Sequence, residues 1–123
     1  MSWESIAKEF GTAAALCARS DLPRSAVGRA YYSFFAMLTA ELTRRGASMT
    51  HGGNPAHRGV VGHIRRDLDL SPGVQRRLVA LARNLYDRRL DADYNGPFTV
   101  DQRTALESLR DMAEAKNILG RLT

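Results

Sequence analysis

A disulfide is the first thing this chain cannot make. Its 123 residues include a single cysteine, Cys17, so no internal bridge is possible and nothing points to an oxidising, secreted setting. The opening "MSWESIAKEF" has no basic segment followed by an apolar stretch, so no secretory leader is expected. No apolar run approaches the roughly 18 residues that a membrane span needs. The expected setting is therefore cytoplasmic and soluble, with no membrane partner. Histidine is scarce: His51, His57 and His63 are six apart, not the three-or-four spacing that stacks two metal ligands on one helix face. Only Cys17, on an apolar helical face, could join them, so neither a metal nor a cofactor is expected. "HGGN" is rich in glycine but lacks the following lysine and serine or threonine of a phosphate-cradling loop. No strained strand-to-helix turn for a serine nucleophile is visible.

What is present is ordinary for one soluble domain. The chain is 44% hydrophobic and 25% charged, without repeats or low-complexity runs, and long enough for one modest core. Residues 1–123 are read as a single domain. Formal net charge is +5, and of 18 basic residues all but Lys8 and Lys116 are arginine. Four arginine pairs, at 44–45, 65–66, 76–77 and 88–89, are spread along the chain. Guanidinium binds phosphate bidentately and displaces counterions, which favours a nucleic-acid surface. A genome rich in arginine codons would leave the same residues as a solvated face, and charge alone speaks to association rather than chemistry.

The apolar residues follow helical spacing throughout. Ser2 is placed to cap a first helix whose face carries Trp3, Ile6, Phe10, Ala14 and Cys17. Pro23 ends that helix, and a second runs from about Arg24 to Gly46, a residue suited to the left-handed C-terminal position. Its apolar residues, among them Val27, Tyr31, Phe34, Phe35, Leu38 and Leu42, cover more than one stripe. Such a helix is central or is covered by a second subunit. "GASMTHGGNPAH" is a loop. A short helix follows with Val60, Val61, Ile64 and Leu68. Ser71 and Pro72 then open a longer one, whose core face is Val74, Leu78, Leu81 and Leu85. "NGP" at 95–97 stops it. Thr99 and Gln102 are placed as a capping box for a last helix carrying Ala105, Leu109, Met112 and Leu119. No alternating segment competes as a strand. The expected fold is all-α, about five helices in a bundle.

One core-facing stripe ends strangely. In "RNLYDRRLDADYN", Arg83 to Asn95, the step that leads from Leu78 through Leu85 arrives at Arg89 and Asp93. These two are four apart and stack on one face, with Tyr86 one turn before. On a surface the pair would be worth only a few tenths of a kcal/mol, whereas buried charges each need a partner and further hydrogen bonds. It is either a clasp at the helix end, completed by Arg29 or Tyr32 of the second helix, or a site.

"SAVGRAYYSFF", Ser25 to Phe35, followed some sixty residues later by "RRLDADY", resembles the HEPN domain family of small prokaryotic helical proteins. The branch it is most similar to carries an "R-A-Y-Y-x-x-F" pattern on an early helix. A later helix carries "R-x-x-A-D-Y", matched here by Arg89, Ala92, Asp93 and Tyr94, and the loop histidine usual in that branch is matched by His51. The resemblance implies a HEPN-like helical bundle that forms a homodimer and associates with RNA. It also implies a prokaryotic toxin–antitoxin or anti-phage defence setting, with a nucleotidyltransferase antitoxin as a partner. Active members use an arginine followed four to six residues on by a histidine. With this pair they drive metal-independent attack of the ribose 2′-OH on the adjacent phosphate, which needs a proton carrier and a cation.

This sequence departs from that pattern at the histidine, where Asp93 stands. A carboxylate with a pKa of about 3.9 is a poor proton carrier at neutral pH and repels phosphate. Other arginine–histidine spacings exist, Arg58 with His63 and Arg44 or Arg45 with His51, but about one such match arises by chance in a chain this basic. Two readings follow. In the first, an RNA-associated, weakly ribonucleolytic protein uses Arg89, Asp93 and Tyr94 at its centre, with Arg29, Tyr32, His51, Arg83 and Arg88 contacting RNA. In the second, a non-catalytic protein-interaction module keeps Arg89–Asp93 as architecture.

Overall fold

A computed structural model describes residues 2–49, 52–94 and 100–122. Within them lie five α-helices and one 3-10 turn, and no strand: α1 (Trp3–Arg19), α2 (Pro23–Arg44), the turn His57–Gly59, α3 (Val60–Asp67), α4 (Pro72–Tyr94) and α5 (Gln102–Gly120). The all-α expectation holds. None of these helices is long and apolar enough to cross a membrane.

The ends follow from local chemistry. The Ser2 hydroxyl accepts from the Ser5 amide at 3.0 Å, as its position before Trp3 implies. Helix α1 closes with Asp21 in the left-handed region at φ 58. The Asp21 amide donates to the Ala18 carbonyl and the Leu22 amide to the Cys17 carbonyl, the paired bonds of a Schellman motif. Pro23 then serves as the first residue of α2, one earlier than expected, because its missing N–H is no loss there. At the far end of α2, Gly46 has φ 69. Its amide and that of Ala47 reach the Thr43 and Leu42 carbonyls. The start of α5 needs correction. Asp101, not Thr99, is the cap, its carboxylate accepting from the Thr104 amide at 3.0 Å and the Thr104 hydroxyl at 2.9 Å. Gln102 is no part of a capping box; its Nε2 donates to the Ala18 carbonyl at 2.7 Å and ties α5 to the end of α1. Thr99, "NGP" at 95–97 and His51 lie outside the described residues.

Helix α2 is the axis of the bundle, packing against α1, α4 and α5. It buries Tyr31, Phe34, Phe35, Leu38 and Leu42 completely or nearly so, each worth about 1.5–3 kcal/mol relative to exposure. The main core joins these to Ile64 of α3, Leu78, Leu81 and Leu85 of α4, and Ala115 and Leu119 of α5. A smaller cluster at the other end holds Ala18, Ala26, Val27, Ala92, Val100 and Ala105, with Cys17 partly buried against it.

Two expected faces shift. In α1 the buried residues are Ala7, Gly11, Ala14 and Ala18, and the larger Trp3, Ile6, Phe10 and Cys17 lie at the margins. Small side chains let the α1 and α2 backbones approach: a Cβ on Gly11 would stand 3.1 Å from the Ser33 hydroxyl, which donates to the Ala7 carbonyl at 2.6 Å. Val74 is exposed rather than core, because the first turn of α4 reaches the rim of the bundle, where it lines a surface cavity with Leu70, Ile118 and Leu122.

Candidate functional site

The stripe Leu78–Leu81–Leu85 of α4 is buried, and one turn beyond it Arg89 enters a nest of tyrosines. Its guanidinium carbon lies 5.8, 5.4 and 5.6 Å from the ring centres of Tyr31, Tyr32 and Tyr94, within range for cation–π attraction. Nη2 donates to the Tyr32 hydroxyl at 2.9 Å. Nε stands 3.0 Å from Asp93 Oδ2, yet its N–H is not aimed along that line and forms no hydrogen bond. The contact is a close ion pair rather than a directed one. The Arg89 side chain is 11% exposed and that of Asp93 39%. Burial alone would lower the guanidinium pKa, but Tyr32, Asp93, Tyr94 and Tyr31 together more than offset it, so the net shift is upward and the charge is permanent. The polar end of an apolar stripe is thus a cation closed in by three rings, a hydroxyl and a carboxylate.

Around it the other sequence-predicted residues divide. Tyr32, Arg29 and Asp93 line one open cavity of about 360 Å³ with Phe10, Arg24 and Gly28. The Asp93 carboxylate lies against α2 at Gly28, where a Cβ would meet Oδ1 at 3.9 Å. Arg24 donates to the Ala92 carbonyl at 2.7 Å, placing a cation at the negative end of α4. Of the two clasp partners considered, Tyr32 fills the role and Arg29 stays exposed. Tyr94 is 69% exposed, one ring face on Arg89. Arg88 points elsewhere: it pairs with Asp111 at 2.7 Å and Glu107 at 3.7 Å and clamps α4 to α5. Arg83 belongs to a second cavity, on the far side of Tyr31.

That second cavity holds the residue that sequence reasoning passed over. His57 Nδ1 and the Tyr31 hydroxyl share a 2.6 Å hydrogen bond, and the imidazole is ringed by Phe35, Tyr31, Tyr32 and Tyr86 at centroid distances of 4.6 to 6.3 Å. Burial holds the Tyr31 hydroxyl above the ordinary phenol range, against the opposing pull of Arg89, so it keeps its proton. Helical periodicity gives no signal for a loop residue reaching a helix 26 positions earlier. Of the other arginine–histidine spacings, those with His51 lie outside the described residues; His63 is buried and bonded to Asp67 at 2.6 Å, and Arg44 and Arg45 both pair with the buried Glu41. Among the described residues there is no group of three or more histidine, cysteine, aspartate or glutamate side chains arranged to hold a metal.

No family model matches this sequence, and no curated protein matches it.

Proposed function

We propose that the protein is a HEPN-like, RNA-associated homodimer of a prokaryotic toxin–antitoxin or anti-phage system that binds RNA without cutting it efficiently, Arg89 having become an architectural residue. The observation that carries this is the state of Arg89: largely buried, bonded to Tyr32, paired with Asp93 and faced by three rings. A guanidinium so occupied has little left for a phosphate, and the group four residues on is a carboxylate where proton transfer would call for an imidazole. The exposed Arg29 and Arg83 remain as phosphate contacts and the exposed ring of Tyr94 as a stacking surface. A nucleotidyltransferase antitoxin is the partner consistent with this setting.

A second reading, a protein-interaction module, draws support from the arginines themselves. Arg44, Arg45, Arg77, Arg88, Arg89 and Arg103 all sit in ion pairs, which reduces the positive charge available to RNA. Incubation of purified protein with labelled RNA in EDTA, with binding followed by anisotropy in parallel, separates the two. Binding with little or no cleavage, unchanged in Arg89→Ala provided that variant folds, is the expected result. Rapid cleavage lost in Arg89→Ala at unchanged circular dichroism overturns the architectural role, and absence of binding favours the interaction module.

A further inference from the structure

Tyr31 and Tyr32 are neighbours on α2, about 100° apart around the helix axis, and so face different cavities. Tyr32 faces the clasp with Arg89 and Asp93; Tyr31 faces a cavity of about 140 Å³ whose wall includes His57 and Tyr86. Their rings are nearly parallel, 21° apart, and the Tyr31 hydroxyl holds the imidazole in place from behind. Arg58, from the 3-10 turn, and Arg83, from α4, stand exposed at the rim with Asp87. Among the described residues neither arginine makes an ion pair, whereas those at 44, 45, 77 and 88 are each matched to a carboxylate. Val60, Val61 and Ala82 complete the wall. The cavity thus presents flat aromatic and apolar walls, two cations on separate elements and one acceptor.

We propose that this cavity is a subsite for one unpaired nucleotide, the base lying against Tyr86 and His57, its phosphate held between Arg58 and Arg83, and Asp87 accepting from a base amino group or a ribose hydroxyl. The space admits a single planar ring system and excludes a paired one, so the subsite selects unstacked, single-stranded RNA. Its wall shares the Tyr31 ring with the Arg89–Asp93 clasp but includes neither Arg89 nor Asp93. The RNA source of the nucleotide rests on the function proposed above; a free mononucleotide carries the same chemistry, and the test distinguishes the two.

The probes are 5′-AMP and a fluorescein-labelled adenine oligoribonucleotide, alone or annealed to its complement. The readouts are anisotropy and the His57 ring resonances, assigned with His57→Gln. The Arg58→Ala/Arg83→Ala protein should bind the single strand about tenfold or more weakly, against less than about twofold for Arg103→Ala/Arg110→Ala on α5. The duplex should bind more weakly than the single strand, and 5′-AMP should move the His57 resonances. Equal losses in the two double variants, or duplex binding as tight as single strand, would show diffuse electrostatics and overturn the subsite. Tight single-strand binding indifferent to Arg58 and Arg83 removes the subsite and leaves RNA association standing. Resonance shifts with 5′-AMP but no RNA binding keep the subsite and remove the RNA reading. No response to any probe removes both.

Discussion

Lys116 is a half-buried cation bonded to a neutral group. Its Nζ donates to the Ser33 hydroxyl at 3.0 Å and lies 2.9 Å from where a Cβ on Gly11 would be. Desolvation lowers its pKa below the unfolded value of 10.5, so the folded chain holds this proton less tightly than the unfolded one. The cost is in force below the folded pKa and is relieved as pH climbs toward the unfolded value. Tyr31 runs the other way: its hydroxyl is held above 10.0 in the fold, so its contribution is whole below about pH 10 and is lost only as pH rises further. Between neutrality and about pH 10, then, Tyr31 adds no pH dependence to that of the lysine. Lys116→Met should therefore melt higher than wild type at neutral pH, with the gap narrowing as pH is raised, measured by thermal denaturation in matched buffers. A constant gap would assign the effect to packing instead. Arg89 and Asp93 were recognisable at this scale from their four-residue spacing on an apolar stripe. The directions of Arg88 and Arg29 were not, since adjacent helical residues diverge and only the neighbouring helix decides which one is enclosed.

Among the elements, α1 departs furthest from its expected face. Helical spacing put Trp3, Ile6, Phe10, Ala14 and Cys17 inward; of these Ala14 is buried, and close backbone approach to α2 sets Ala7, Gly11 and Ala18 beside it. Helix existence and punctuation were legible because Ser2, Pro23, Gly46 and Pro72 act locally. The cap of α5 was not, since Asp101 and Thr99 both carry side chains able to accept from a helix N-terminus. The link between α1 and α2 offers a direct test. Asp21 occupies a left-handed conformation that glycine adopts without strain. Asp21→Gly should stabilise the protein by roughly 0.5–1 kcal/mol, seen as a higher urea midpoint at unchanged slope. A lower midpoint would mean that the aspartate side chain contributes more than its backbone costs.

For the molecule as a whole, an all-helical bundle could be read from periodicity, whereas the meeting of His57 with Tyr31 needed the long loop to fold back over α2. Contacts of that kind depend on where a chain returns, which no local pattern encodes. The central position of α2, with Phe34, Leu38, Thr39 and Leu42 sealed from solvent and helices on several sides, has a kinetic consequence. Its amide protons have no route to water through fraying of a single neighbour. In deuterium-exchange measurements the amides from Phe34 to Leu42 should be the last to exchange, with opening free energies equal to that of global unfolding. Amides in the first turn of α4, at the rim of the bundle, should exchange through smaller, local openings.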